Sequence, residues 1–404
     1  MYTLYNRHLA SSLKKTLKSN KSILLLGPRQ VGKSTLVKKI LSKDFTFDSI
    51  LLQNPELRIK YEKDPSRLIH EYELNDTANL IYIDEIQKVP ALFDSIQYLI
   101  DENKKRFILT GSSARKLRRQ GANLLPGRLI LHYLDPLMWG ELGLTKDNLI
   151  PEIALKNTEK SIGYSMEESM VFGTLPEIVS TTKEQRGQIL KSYSTIYLEE
   201  EIRAEAISRN VGMFSSFLDL ISFESGGSPN FTKISQETGI SIITIKEYFQ
   251  ILIDTLIIHQ LAPFTKSIRR RVAKTSKYFM FDSGVKNATA NFPLTLELVN
   301  TNRGSLFEHF VILEMFRRQR LKDNFKMYYW RTTTSDIEVD LVIETNNKII
   351  PIEIKAGKNI RSSNLSGLNA FMDEFNVKKG FVISQDAKPY KLDDRITVIP
   401  WNYL

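Results

Sequence analysis

A chain of 404 residues, 42% hydrophobic and 25% charged, has the composition of a folded globular protein and is long enough for two or three domains. No stretch approaches the roughly 18 apolar residues of a membrane helix, and the first residues lack the apolar centre of a secretion signal. We therefore expect no membrane partner and a cytoplasmic location. The absence of cysteine excludes disulfides, thiolate zinc sites and cysteine nucleophiles. The net charge of +10 favours nucleic acid as a partner, although lysine-rich surfaces also serve solubility.

The first third of the chain alternates short apolar runs with amphipathic stretches, which predicts an α/β sheet with helices on both faces. Five runs are candidate strands of a buried parallel sheet, because each is short, continuously apolar and rich in β-formers. They are Lys21–Gly27, Phe45–Ile50, Asn79–Glu85, Arg106–Ser112 and Arg128–Leu134.

The stretch "GPRQVGKST" directly follows the first of these runs and matches the phosphate-binding loop pattern, Gly-x4-Gly-Lys-Ser. Glycines let backbone N–H groups close around phosphate, and the following helix adds its N-terminal dipole. We expect Lys33 to hold the β- and γ-phosphates and the Ser34 hydroxyl to bind Mg2+. The candidate nucleotide-binding residues are Gly27, Pro28, Arg29, Gln30, Val31, Gly32, Lys33, Ser34 and Thr35.

"LIYIDEIQ" places an acidic pair at the end of the third run, where a hydrolytic site needs carboxylates. Asp84 is expected to support Mg2+ and Glu85 to polarise the attacking water. The fourth run ends in "LTGSS", where Thr110 is our preferred γ-phosphate sensor over Ser112 and Ser113. For an arginine finger that reaches a neighbouring subunit's γ-phosphate, two candidates remain open, Arg128 before Arg115. Arg128 is equally compatible with a surface role at the start of a strand.

Residues 231–261 have the layout of a winged helix-turn-helix. Ile234 lies in a first helix, Gly239 permits the turn, and Ser241 caps a second helix that runs through Ile253. Ile245, Phe249 and Leu252 recur at helical spacing and predict its buried face, which leaves Thr244, Lys246, Glu247 and Gln250 outside. Downstream, six basic residues and no acid predict a wing along DNA phosphates: Lys266, Arg269, Arg270, Arg271, Lys274 and Lys277. A protein-docking role is the alternative. The candidate DNA contacts are Thr244, Lys246, Arg269, Arg270 and Arg271.

Residues 338–357 predict a β-hairpin that turns at Asn346 and Asn347. Glu353 and Lys355 are two residues apart and project from one face of the second strand, where Asp340 of the first strand and Glu308 of a preceding helix can meet them. This spacing resembles the restriction-endonuclease-like, or PD-(D/E)XK, nuclease fold. The resemblance implies that Asp340 and Glu353 bind Mg2+, that Lys355 is the catalytic lysine and that Glu308 is an auxiliary carboxylate. An inactive DNA-holding relic keeps the same fold and is the alternative to cleavage.

Together, "GPRQVGKST", "YIDEIQKVP", "LTGSS", "PGRLILHYLDPLMWGEL", "FGTLPEIV" and "RGSLFEHFVILEMF" resemble the AAA-type ATPases of archaea and bacteria that carry a DNA-binding and nuclease-like C-terminal half. The resemblance spans nearly the whole chain and implies ATP with Mg2+, an AAA+-like parallel-sheet core and homo-oligomers. The expected α/β architecture is an ATPase domain at 1–150, a helical winged helix-turn-helix region at 151–300 and a nuclease-like α/β domain at 301–404. The chain departs from the family at "YLEEEI", where members often have an Arg-Asp pair.

The functional expectation is an ATP-hydrolysing protein that remodels or translocates DNA. The alternative is a nucleotide-controlled signalling or defence switch that docks protein partners, and a third is a nuclease regulated by ATP. The switch would show slow hydrolysis that DNA does not affect, and the nuclease would cleave DNA without hydrolysing ATP.

Overall fold

The computed structural model describes residues 4–73, 79–113, 125–146, 148–198, 211–265, 275–332 and 337–404. It divides into two compact units. The first contains Leu4–Pro136 and Gln250–Ile257, and the second contains Leu137–Phe249 and Ile258–Leu404. The three-domain division expected from the sequence stays a prediction.

The first unit is built on a parallel five-stranded sheet. Its strands, in chain order, are β1 (Ser22–Leu26), β2 (Asp48–Leu51), β3 (Leu80–Asp84), β4 (Arg106–Gly111) and β5 (Leu129–Tyr133). Their spatial order is β2-β3-β4-β1-β5. All five predicted strands are confirmed, although β2 begins three residues later than expected. β1 and β3 are buried along their whole length and mostly apolar, as expected of the inner strands of a parallel sheet.

The helices of the first unit alternate with these strands. They are α1 (Leu9–Lys18), α2 (Lys33–Thr35), α3 (Pro55–Lys63), α4 (Arg67–Tyr72) and α5 (Leu92–Asp101). The short α2 continues as a π-helical turn, Leu36–Ile40, and a 3-10 turn, Leu41–Lys43. The sheet and the helices together form one apolar core, which includes Leu24, Ile83, Phe93 and Phe107.

The second unit begins with helices. They are α6 (Met166–Phe172), α7 (Pro176–Ser180), α8 (Lys183–Ser192), α9 (Val211–Phe223), α10 (Phe231–Thr238), α11 (Ile242–Asp254), α12 (Ser283–Thr289) and α13 (Leu298–Lys322), with α14 (Ser366–Glu374) later in the chain. Of these, α11 ends in residues that belong to the first unit. The expected long amphipathic segment from Gln185 to Ser208 is helical as far as Leu198, and its remainder lies outside the described residues.

An eight-stranded sheet completes the second unit. Its strands are β6 (Ile258–Pro263), β7 (Lys277–Met280), β8 (Lys326–Arg331), β9 (Glu338–Glu344), β10 (Ile349–Ile354), β11 (Gly380–Ser384), β12 (Tyr390–Lys391) and β13 (Ile396–Pro400). The spatial order is β12-β13-β11-β10-β9-β8-β6-β7. The predicted hairpin is confirmed, because β9 and β10 pair antiparallel from Glu344 opposite Ile349. Phe264, Trp330 and Phe371 pack together on this sheet.

The strands expected to form a wing have a different place in the fold. β6 and β7 pair antiparallel, but β6 also pairs in parallel with β8 through Ala262 and Pro263. The two strands therefore extend the eight-stranded sheet and are not a free-standing hairpin. The two helices expected of a helix-turn-helix are present, with Gly239 ending α10 in the left-handed region and the Ser241 hydroxyl accepting from Thr244 N at the start of α11. Their assignment as a helix-turn-helix stays a prediction.

Candidate functional site

The phosphate-binding loop lies at the carboxyl end of β1, where α2 begins. Gly27 is pressed against the residue that follows β5, since a Cβ added there would lie 2.2 Å from the Leu134 carbonyl oxygen. Only glycine fits such an approach without moving the backbone. The loop also contains two left-handed residues, Gln30 at φ 62° and Gly32 at φ 94°. Its shape is therefore fixed by backbone geometry that the sequence pattern anticipates.

Lys33 lies over this loop and is buried. Its ammonium donates to the carbonyl oxygens of Gly27 at 2.8 Å and Pro28 at 3.0 Å. Three donors on a flexible stem allow the same ammonium to turn to phosphate oxygens. The ammonium of Lys33 therefore lies inside the loop, and its role in binding phosphate stays a prediction.

Ser34, Asp84 and Thr110 come together from three segments. The Ser34 hydroxyl donates to the Asp84 carboxylate at 3.0 and 3.1 Å. The Thr110 hydroxyl donates to Asp84 Oδ1 at 2.5 Å and is fully buried. The strand order explains the meeting, because β4 lies between β1 and β3 and the parallel strands end at the same edge. Asp84 thus accepts hydrogen bonds from two hydroxyls that belong to different segments of the chain.

Glu85 follows in a left-handed conformation, with φ 59°, which is uncommon for a residue with a side chain. The Gln87 side chain amide donates to Glu85 Oε2 and, at 3.0 Å, to the Ser112 hydroxyl. The Glu85 carboxylate is therefore held beside the ends of β3 and β4. Gln87 belongs to the site although sequence reasoning missed it; its place two residues after Glu85 was the available signal.

Arg7 supports the loop from the N-terminal segment and was also missed. Its guanidinium donates to the Val31 carbonyl at 2.8 Å and to the Asp135 carbonyl at 2.6 Å, and the side chain is buried. It thereby ties the phosphate-binding loop to the residues after β5. No local pattern marks this arginine, because both of its acceptors are backbone oxygens.

The candidate finger Arg128 is engaged within its own unit. Its Nε and Nη2 donate to the two carboxylate oxygens of Asp101 at 2.6 and 2.7 Å. This forked pair lowers the pKa of Asp101 and raises that of Arg128. A finger role for Arg128 stays a prediction that requires the pair to open. Arg115, the other candidate, lies outside the described residues.

The first site fits a nucleotide with Mg2+. The loop leaves no room for a side chain at Gly27, its lysine donates to two loop carbonyls, and a hydroxyl and a carboxylate meet beside it. Hydroxyl and carboxylate oxygens are ligands that Mg2+ prefers. Lys33, Ser34 and Asp84 are the residues that would hold such a ligand.

The exposed face of α11 carries a mixture of residues. Ile245, Phe249 and Leu252 are buried as predicted, while Lys246, Glu247 and Gln250 are exposed and Thr244 is partly buried. Two isoleucines also lie on the exposed side, Ile242 and Ile243, and Ile243 is 74% exposed. Arg269, Arg270 and Arg271, with Lys266 and Lys274, lie outside the described residues. In the described part of this face, apolar and uncharged or acidic side chains therefore outnumber basic ones.

The carboxylates of the nuclease-like pattern form a second cluster, in the second unit. Ile354 N donates to Asp340 Oδ2 at 2.7 Å, and Lys355 Nζ donates to Glu353 Oε1 at 2.6 Å. Glu353 is buried, and its Oε2 atom has no hydrogen-bond partner within the described part of the chain. The hairpin and α13 thus bring together Asp340, Glu353, Lys355 and Glu308, as the sequence predicts.

Lys277 is the unforeseen member of this cluster. It was expected in the basic wing, but its side chain is buried at β7 and its ammonium pairs with Glu308 Oε1 at 3.2 Å and with Glu338 Oε1. Arg331 pairs with the other oxygen of Glu338 at 2.9 Å. The assignment of Lys277 to a phosphate-facing strip is therefore wrong, because β7 is part of the sheet and directs the lysine to carboxylates.

The electrostatics of the cluster reflect its crowding. The pKa of Asp340 is raised well above its ordinary value, first because burial disfavours the charged form and then because Glu308 and Glu353 repel it. Burial also raises the pKa of Glu353, against the opposing effect of Lys355. Burial alone would lower the pKa of Lys277, but Glu308 and Glu338 outweigh it and raise the pKa. The lysine ammonium is thus strongly stabilised here.

A resident divalent ion does not fit the cluster in this arrangement. Lys277 and Lys355 already pair with Glu308, Glu338 and Glu353, and Asp340 accepts a backbone N–H. Across the ranges that the structure covers, no three His, Cys, Asp or Glu side chains are grouped so as to hold a metal. The roles of Asp340 and Glu353 as metal ligands and of Lys355 as a catalytic lysine stay predictions.

Comparisons with known proteins divide the chain into three parts. Residues 19–143 match the model of an AAA domain, while 164–295 and 303–404 match two domains of unknown function, DUF8612 and DUF4143. The chain is 24% identical over 402 residues to an uncharacterized protein of Mycobacterium tuberculosis, covering 98% of this chain and 83% of that one. An uncharacterized protein of Haemophilus influenzae is 21% identical over 346 residues, which are 82% of this chain and 81% of the relative.

Among solved structures, the Walker-type ATPase of Pyrococcus abyssi is similar, with a TM-score of 0.46 and 14% identity over 71% of this chain and 96% of that one. No helix in the described ranges is both long and apolar enough to cross a membrane. The match over residues 19–143, with the parallel sheet and the loop after β1, identifies the N-terminal part of the chain as an AAA-type, ATPase-like domain.

Proposed function

We propose that this protein hydrolyses ATP and uses the nucleotide cycle to act on DNA. ATP hydrolysis is supported by the hydrogen bonds that join Ser34, Asp84 and Thr110 beside the buried Lys33. Such a meeting needs a loop, a carboxylate and a hydroxyl from three different strand ends. It is more specific than the loop pattern by itself.

Each residue has a distinct task in this proposal. Lys33 leaves the Gly27 and Pro28 carbonyls and holds the β- and γ-phosphates, while Ser34 and Asp84 orient Mg2+, which neutralises phosphate charge when bound. Thr110 fixes the Asp84 carboxylate through its short hydrogen bond. Glu85 accepts a proton from the attacking water once Gln87 releases it.

DNA is the proposed partner for two reasons. The net charge of +10 favours a polyanion, and α10 and α11 are two consecutive helices joined by a short turn, with Lys246 exposed on the second. Because α11 alone is not strongly basic, the proposal assigns phosphate contact also to Arg269, Arg270 and Arg271. Homo-oligomers, with Arg128 completing a neighbouring site, are part of the same proposal.

A second candidate function is a nucleotide-controlled switch that docks a protein. The exposure of Ile243, at 74%, favours it, since an apolar side chain at the start of α11 suits a protein surface. Here ATP marks a state, and DNA has no effect on turnover. Mg2+-dependent cleavage is not part of this proposal, because Glu353 already pairs with Lys355, and Asp340 accepts a backbone N–H from Ile354.

Steady-state ATP hydrolysis tests the proposal, measured without nucleic acid and with single-stranded, duplex and branched DNA. Lys33→Ala should abolish turnover, whereas Lys39→Ala is a matched control, because that lysine is exposed on the same helical segment. Stimulation by one DNA form supports action on DNA. Hydrolysis that is equal with every DNA favours the switch, and full turnover by Lys33→Ala would remove the ATPase assignment itself.

A further inference from the structure

The carboxylate cluster of the second unit is organised around a lysine that the nuclease-like pattern does not contain. Lys277 comes from β7, while its partners Glu308 and Glu338 come from α13 and β9. Its ammonium also lies 5.5 Å from the centre of the Tyr329 ring on β8. One buried cation therefore contacts three different elements.

The charges of the cluster are nearly balanced by side chains alone. Four carboxylates, Glu308, Glu338, Asp340 and Glu353, face the three cations Lys277, Lys355 and Arg331. With every carboxylate ionised, one negative charge is unmatched. A divalent ion would overcompensate it and be repelled by the buried ammonium, since charges in a poorly solvated site interact strongly.

Removing Lys277 changes this balance. Two negative charges are then unmatched, which is the charge that one divalent ion neutralises. The orphaned Oε2 atom of Glu353 is a free oxygen ligand for such an ion among the groups we describe. The presence of Lys277 thus determines whether these carboxylates can bind a metal ion.

We propose that Lys277 supplies, at this cluster, the positive charge that a divalent ion supplies in metal-dependent nucleases. The cluster is held together without a metal and binds one only when Lys277 is removed. This inference goes beyond the proposed function, because it requires neither ATP hydrolysis nor DNA binding. It assigns Lys277 as a positioning residue for α13, β7 and β9.

The inference is tested by the binding of Mn2+ to the nucleotide-free full chain. Binding is measured by calorimetry and by the electron paramagnetic resonance signal of free Mn2+. The wild type and Asp340→Asn should bind the same number of ions, since the cluster holds none. Lys277→Met should gain one site, at least about tenfold tighter than any wild-type site in the second unit. The gain should disappear in the double variant Lys277→Met, Asp340→Asn.

A matched control and a folding control complete the experiment. Lys348→Met also removes one positive charge from the second unit, but that lysine is exposed and pairs with Glu152, so it should gain no site. If Lys277→Met does not fold alone, Mn2+ should restore its folding, whereas NaCl of equal ionic strength should not. Loss of Mn2+ binding in the single variant Asp340→Asn overturns the inference. So does a folded Lys277→Met without a new site, or an unfolded one that Mn2+ does not rescue.

Discussion

Thr110→Val removes the hydroxyl that donates to Asp84 at 2.5 Å and also accepts, at the longer distance of 3.4 Å, from Glu85 N. Valine replaces the hydroxyl by a methyl group of similar size, so packing in the fully buried site changes little. The bond from Thr110 to Asp84 is 2.5 Å long and involves a carboxylate, for which a net contribution of about 1.5–3 kcal/mol is typical. Ser34 still donates to Asp84, so the carboxylate keeps one partner. We therefore expect a loss at the lower end, about 1.5 kcal/mol.

Hydrogen exchange measures this loss where it arises. A destabilisation of about 1.5 kcal/mol should speed the exchange of the most protected amides in β3 and β4 about tenfold. The turnover of ATP should fall while binding of a fluorescent ATP analogue persists, because Lys33 is untouched. Thr110→Ser, which keeps the hydroxyl, is the matched control and should restore most of the turnover.

Two results would contradict this prediction. If Thr110→Val exchanges and hydrolyses like the wild type, the hydroxyl does not orient Asp84. If Thr110→Ser is as impaired as Thr110→Val, the methyl group and its packing matter, and the hydrogen bond does not.

Three further predictions concern other residues. Gly27→Ala should abolish nucleotide binding or folding of the first unit, because its Cβ would lie 2.2 Å from the Leu134 oxygen. Gly304→Ala is the control, because that glycine lies in a helix with open space around it, and the change should stabilise the protein by about 0.5–1 kcal/mol. Thermal unfolding and nucleotide binding are measured for both variants. Arg128→Ala should lower turnover if Arg128 is a finger, while Asp101→Asn, which breaks the same pair, should not; equal losses in steady-state assays would assign the pair a structural role. Burial lowers the pKa of Lys286 from 10.5 to about 8, so the folded state binds fewer protons than the unfolded state between these values and stability should rise with pH across that window, by about 3 kcal/mol. Lys286→Met should remove this rise, and unfolding in denaturant at pH 7.5 and pH 10 measures it.

Much of the first unit could be predicted from the sequence because its signals are local. The five strands are continuous apolar runs, and the loop residues that matter are adjacent in the chain. Parallel strands end at the same edge of the sheet, so a motif at the end of a strand is already placed. Arg7 escaped prediction for the opposite reason. It donates to the carbonyls of Val31 and Asp135, and because every residue has a backbone carbonyl, the sequence does not show which ones accept.

The second unit was harder to predict because its chemistry depends on distant pairing. The hairpin of β9 and β10 was predicted correctly from two strand-like runs around Asn346 and Asn347, and so was the proximity of Asp340 and Glu353. Lys277 was placed wrongly, because a run of basic residues predicts an exposed strip unless one knows that β7 joins the eight-stranded sheet. Sheet membership decides which face a side chain lies on, and β6 joins β8 across more than sixty intervening residues.

The two clusters therefore differ in what their carboxylates lack. Asp84 receives two hydroxyl donors and no cation among its described hydrogen bonds, so a metal ion adds the charge that the site needs. Glu308 and Glu338 share the ammonium of Lys277, so the same ion is redundant there. A carboxylate pattern in a sequence predicts a metal site only when no lysine from another strand has already neutralised it. By this argument we expect the ATPase-like site to need Mg2+ and the nuclease-like cluster to hold together without it, with Lys277 as the residue that makes the difference.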